Sequence, residues 1–132
     1  MDKNCFEAFN AYELAANKGD ADAQFSLGEC YYLGRGVAED CEKAFYWFLK
    51  SAEQGNLNAQ INVAKAYEIW RGVELDLEKA FYWFLKAANQ GDPKSQNSVG
   101  FCYEFGIGVN IDKEKSQFWY EEARKNGYKP GQ

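Results

Sequence analysis

Apolar residues recur along this chain at helical spacing, and that pattern then repeats at a longer one. Within 21–33, Ala23, Leu27, Cys30 and Tyr31 fall three and four residues apart, which draws one apolar stripe down a helix. Gly34-Arg35-Gly36-Val37 then stops the stripe, because glycine accepts the left-handed backbone that closes a helix. Asp40 stands where an N-cap acceptor is needed, and Glu42 adds favourable charge to the next first turn. A second helix, Cys41 to Gln54, turns Ala44, Trp47, Phe48 and Ser51 to one face, and Gly55 ends it. Gly28 lies on the first stripe, and its counterparts Ala64 and Gly100 are also small. A bulky residue there should splay the helix pair.

The whole arrangement returns every 36 residues, as Gly19, Gly55, Gly91 and Gly127 mark. The sets Gln24/Gln60/Gln96, Tyr31/Tyr67/Tyr103, Gly36/Gly72/Gly108, Val37/Val73/Val109, Asp40/Asp76/Asp112 and Trp47/Trp83/Trp119 keep the same step. A period of this size marks an array in which each unit buries its apolar face against its neighbours. The predicted fold is therefore all-α, a solenoid of antiparallel helix pairs forming a single repeat domain over 1–132. A lone helix in 1–19 aligns with the second helix only. Complete pairs follow over 20–55, 56–91 and 92–127, then a tail at 128–132. The lone helix either caps that end or shows that the chain is a piece of a longer array. In the last helix Glu121, Glu122, Arg124 and Lys125 give the polar outer face that ends a solenoid.

Ala23-Gln24, Leu27-Gly28, Tyr31, Gly34-Arg35-Gly36-Val37, Asp40, Lys43-Ala44, Trp47, Lys50, Ala52 and Gly55 resemble the Sel1-like repeat family, relatives of the tetratricopeptide repeats. The Gly-x-Gly-Val turn sets the pattern apart from tetratricopeptides, whose repeat is close to 34 residues. Three positions depart from it: Trp70 replaces the first turn glycine of the middle unit, and Ser116 and Gln117 replace Ala44 and Phe45 in the third. Trp70 either packs on a neighbouring turn or serves as a recognition aromatic. The resemblance implies a right-handed superhelix whose first helices line the concave face, where partners of related proteins usually lie.

Composition narrows the function. A net charge of −5 disfavours nucleic acid and anionic membrane, which need clustered Lys and Arg. Mixed or basic protein surfaces are better counterparts. The amino terminus has no basic and apolar blocks of a secretory signal, so a cytoplasmic protein is expected unless a leader has been removed. Cys5 and Cys41 share one repeat position and Cys30 and Cys102 another, with Leu77, Lys113 and Ala66 as counterparts. That company suggests buried thiols acting as small hydrophobes. With no histidine and no Cys-x-x-Cys, neither a zinc site nor a Cys/His nucleophile is expected, and no cofactor is implied. The chain reads as a non-catalytic protein-interaction module.

For a partner, the free flank of the first helices is the candidate. It carries Asp22, Phe25, Glu29, Tyr32 and Leu33 in the first unit, Asn58, Ile61, Lys65, Glu68 and Ile69 in the second, and Lys94, Asn97, Phe101, Glu104 and Phe105 in the third. Apolar groups beside carboxylates suit a protein or peptide with basic and hydrophobic side chains. Leu33, Ile69 and Phe105 are either part of that surface or inter-repeat core. The repeated glutamine reads as a hydrogen bonder between units. Tyr46, Tyr82 and Phe118 offer a rival surface on the other side. Three roles fit: an adaptor or regulator, an immunity or antitoxin-type protein that sequesters an effector, and a self-associating module in which a dimer forms.

Overall fold

The computed structural model describes residues 3–69 and 71–130; the two readings of Trp70 lie outside the described residues. Seven α-helices are present among them: α1 (Lys3–Asn17), α2 (Ala21–Leu33), α3 (Cys41–Glu53), α4 (Leu57–Ile69), α5 (Leu77–Asn89), α6 (Pro93–Phe105) and α7 (Lys113–Lys125). Each packs on the next in sequence, which makes an α-solenoid. We call α2, α4 and α6 the A helices and α1, α3, α5 and α7 the B helices. The lone helix begins earlier than the aligned repeat does, at Lys3, and α3 ends at Glu53 with Gln54 as its cap.

Among the described residues the N-caps of α2 to α7 are all made by side chains. Asp40, Asp76 and Asp112 accept from the N–H groups of Lys43, Lys79 and Lys115 at 3.0 Å. Asp20, Asn56 and Asp92 do the same for the A helices, accepting from Ala23, Ala59 and Ser95. Each satisfies a donor that a helix start leaves orphaned, at about 1 kcal/mol per cap.

Two devices set the register between units. The second turn glycine docks on the start of the preceding B helix: a Cβ on Gly36, Gly72 or Gly108 would collide with the carbonyl oxygen of Cys5, Cys41 or Leu77. These glycines also hold φ of 72–76°, so both the space and the backbone require glycine. The glutamines form the second device. Gln24 Nε2 donates to the Ala16 carbonyl across the unit boundary at 3.2 Å, while its Oε1 accepts from Gln54 at 2.8 Å. Gln60 repeats this with Ala52 and Gln90, and Gln96 with Ala88 and Asn126. All three are buried, and a buried amide is stable only when so satisfied.

Between A and B helices of a pair the approach is close. A Cβ on Gly28 would lie 2.7 Å from the Phe48 ring. Across unit boundaries, edge-to-face rings join Phe9 to Tyr31, Phe45 to Tyr67 and Phe81 to Tyr103, with centroids 5.2–5.5 Å apart.

Burial corrects the expectation for two cysteines and decides two further points. Cys30 and Cys102 are buried, but Cys5 and Cys41 are only half-buried, because they lie at B-helix starts beneath a turn rather than between helices. Of the three repeat tryptophans only Trp83 is buried; Trp47 and Trp119 are half-buried and pack against the core. Leu33, Ile69 and Phe105, left open between core and surface, are 48–57% exposed and belong to the surface.

Candidate functional site

The A helices carry an exposed flank because their buried stripe is narrow. In α4, Ala59, Val63, Ala66 and Tyr67 face inward, which leaves Lys65, Glu68 and Ile69 exposed. In α6 the same geometry exposes Phe101 and Phe105, whose rings pack together at 4.7 Å. Two large rings left at 47% and 57% exposure on a short helix form a small apolar platform.

A cavity of about 330 Å³ opens where α2, α3 and α4 meet. Ala44, Phe48 and Ala66, all buried, form its floor. Tyr32, Asn62, Lys65, Ile69 and Arg71 line the rest, with Cys41 and Phe45. The Arg71 guanidinium stands over the Tyr32 ring at 5.5 Å, an attraction worth roughly 0.5–1 kcal/mol where exposed.

The proposed partner-facing residues therefore divide. Tyr32 and Lys65 are brought together at this cavity. Phe101 shares the platform with Phe105, one repeat further on. Phe25 is half-buried and packs on Phe48 at 5.6 Å, so much of its ring is used internally. Asp22 is exposed and accepts from the Asn56 amide at 3.1 Å across a unit boundary. Glu104 is half-buried and accepts from the Tyr120 hydroxyl at 2.7 Å. Burial, and then that carboxylate, push the Tyr120 hydroxyl up to about 12. Glu29, Ile61 and Asn97 are half-buried, while Glu68 and Lys94 are exposed.

Arg71 was not among the candidates. The docking of Gly72 on the Cys41 carbonyl carries Arg71 back towards Tyr32 of the previous unit. Its one signal in sequence is that the same turn position holds Arg35 and Ile107 in the other units. The thiols are chemically quiet at their buried positions. Burial raises Cys30, and burial with Glu68 nearby pushes Cys102 up to about 11, so both stay protonated near neutral pH.

On the other side Tyr46, Tyr82 and Phe118 are 50–54% exposed. Each stands edge-on to its neighbouring tryptophan, and Lys50 and Lys86 lie over the two tyrosine rings at 5.2 and 5.3 Å. Tyr46 and Tyr82 thus each already meet a cation of their own helix.

Helix pairs joined by glycine turns, docked unit on unit with a repeated glutamine bridge, define an α-solenoid repeat protein. The family model of the Sel1 repeat matches residues 1–20, 21–56, 57–92 and 93–128, and the chain belongs to the Sel1 repeat family. Such repeats are generally protein–protein interaction modules. A Sel1 repeat protein from Oxalobacter formigenes is 36% identical, with a TM-score of 0.83 over 89% of this chain and 89% of that one. A protective antigen of uropathogenic Escherichia coli that displays this fold is 32% identical, with a TM-score of 0.90 over 94% of this chain. The chain spans only 27% of that antigen's length. Cysteine rich protein B of Helicobacter pylori, 22% identical, shares the fold at a TM-score of 0.71 over 96% of this chain and 90% of that one. No curated protein matches the sequence.

Proposed function

We propose that this chain is a non-catalytic binding module that holds one protein or peptide partner along its A helices, as an adaptor or regulator. The observation that carries the reading is the run of half-exposed apolar side chains on successive A helices, Leu33, Ile69, Phe101 and Phe105, set among Glu29, Lys65 and Glu68. Large apolar groups ringed by charge are what interface centres are made of. On the opposite side Tyr46 and Tyr82 already carry lysines of their own helix, which makes it the weaker candidate. Carboxylates along the flank and a net charge of −5 favour a partner with basic and apolar side chains. Four free thiols suit a reducing, cytoplasmic setting.

The test is affinity capture with the wild type and with Tyr32→Ala/Phe101→Glu, read by mass spectrometry, with helical circular dichroism as the control for folding. One dominant protein, lost in the double variant, is the expected result. A captured effector toxin would assign the neutralising role within this reading. Capture of the chain itself would assign self-association, which the exposed Phe6, Tyr12 and Leu14 of α1 would serve. Undiminished capture by the double variant would refute the A-helix surface.

A further inference from the structure

The cavity between α2, α3 and α4 combines features found at neither the platform nor the second junction. Its floor is apolar, its volume of about 330 Å³ sits at the small end of ligand-binding cavities, and two cations, Lys65 and Arg71, stand at its wall. Among the described residues no carboxylate lies within ion-pair distance of either cation. Glu39 shares an adjoining recess with Arg71 and Tyr32 without pairing. Two unpaired cations beside an apolar hole run against the charge of a chain that is −5 overall.

Resting on the reading of the chain as a binding module, we infer that this cavity takes the carboxy-terminal residue of a partner chain, its large apolar side chain on the Phe48 floor and its carboxylate between Lys65 and Arg71. The volume fits one large side chain rather than a length of peptide. Arginine and lysine bind carboxylates through charge-assisted hydrogen bonds. The Tyr32 ring holds the Arg71 guanidinium in place at 5.5 Å, and the Asn62 amide adds donors to the same wall.

Why a chain end rather than an internal acid follows from backbone geometry. Successive side chains of an extended peptide point to opposite faces. An internal residue that sends its apolar side chain into the cavity turns a neighbouring Asp or Glu away from it. A terminal residue carries side chain and carboxylate on one Cα, so both enter together. The second junction lacks this chemistry: Glu68, Phe101 and Ile107 stand where the first has Tyr32, Lys65 and Arg71.

The experiment presents the full chain with two random short-peptide libraries, one with free carboxyl ends and one with amidated ends, and ranks the retained peptides by fluorescence anisotropy. Expected is enrichment from the free-carboxyl library of peptides ending in a large apolar residue. Amidation, or the Lys65→Gln/Arg71→Gln double variant, should weaken these at least about tenfold, while Lys86→Gln leaves them unchanged. Both substituted side chains are exposed, and circular dichroism checks that the helices persist. Equal enrichment from the two libraries, or affinities indifferent to Lys65→Gln/Arg71→Gln, would overturn the inference. If such peptides are instead lost with Phe101→Glu, the binding module stands and this site falls. No enrichment from either library sinks both.

Discussion

At the first junction α3 lies between α2 and α4, and at the second α5 lies between α4 and α6. The frame of the two is the same. Phe45 meets Tyr67 as Phe81 meets Tyr103, Gln60 bridges as Gln96 does, and Gly72 docks on Cys41 as Gly108 docks on Leu77. The lining is different: a cavity walled by Tyr32, Lys65 and Arg71 at the first, a stacked Phe101–Phe105 platform at the second. A solenoid separates these tasks because inter-unit contacts lie on the narrow buried stripe, which leaves the other flank free to vary. The frame holds the units together, and the lining determines what each junction can bind.

The most severe way to break the shared frame is at its buried tryptophan. Trp83 is 8% exposed, whereas Trp119 is only half-buried at the same repeat position. Trp83→Ala should lower unfolding free energy by roughly 3–5 kcal/mol through the cavity it leaves. Trp119→Ala should cost clearly less, with urea denaturation followed by circular dichroism as the measure. Equal losses would mean that burial does not set the difference between units.

A milder perturbation asks whether the two junctions are equivalent. Gly72→Ala and Gly108→Ala each force a Cβ against a carbonyl oxygen at positive φ. Both should destabilise by similar amounts, above the roughly 1–2 kcal/mol that left-handed backbone alone costs. Gly91, also at positive φ, has nothing within 4 Å of a Cβ, so Gly91→Ala should show the backbone cost only. Thermal unfolding of the three variants separates strain from docking, and a Gly108→Ala loss no larger than that of Gly91→Ala would remove the docking contact from the frame.

The frame was legible in sequence because it repeats. Asp40, Gln24 and Gly36 recur three times at one spacing, and each recurrence is an independent sign of the same contact. The lining does not repeat, and its geometry depends on contacts some thirty residues or more away. Trp47 and Trp83 lie in the identical run Phe-Tyr-Trp-Phe-Leu-Lys, yet differ in burial, so the difference arises outside that run. Arg71 reaches Tyr32 only through the docked turn, which no local pattern reveals. Leu33, Ile69 and Phe105 are apolar in every unit and still exposed, since the A-helix stripe is already filled by residues such as Leu27, Val63 and Val99.

The smallest expected effect lies in the third unit, where frame and lining meet. Phe48, Phe84 and Tyr120 occupy one repeat position, and only Tyr120 carries a hydroxyl, which donates to Glu104. Since phenylalanine already serves the other two units, Tyr120→Phe should cost about 1 kcal/mol at neutral pH. Its clearer signature is at high pH. The folded hydroxyl titrates at about 12 against an ordinary 10, so below pH 10 both folded and unfolded chains hold the proton and the contribution is fully present. Between 10 and 12 the unfolded chain loses its proton first, and stability falls as pH rises. Tyr120→Phe should remove this part of the alkaline loss, measured as the pH dependence of the urea midpoint from pH 9 to 12. A variant that loses stability as steeply as the wild type would place the titrating group elsewhere and free Glu104 to act with Phe101 and Phe105 as partner-facing surface.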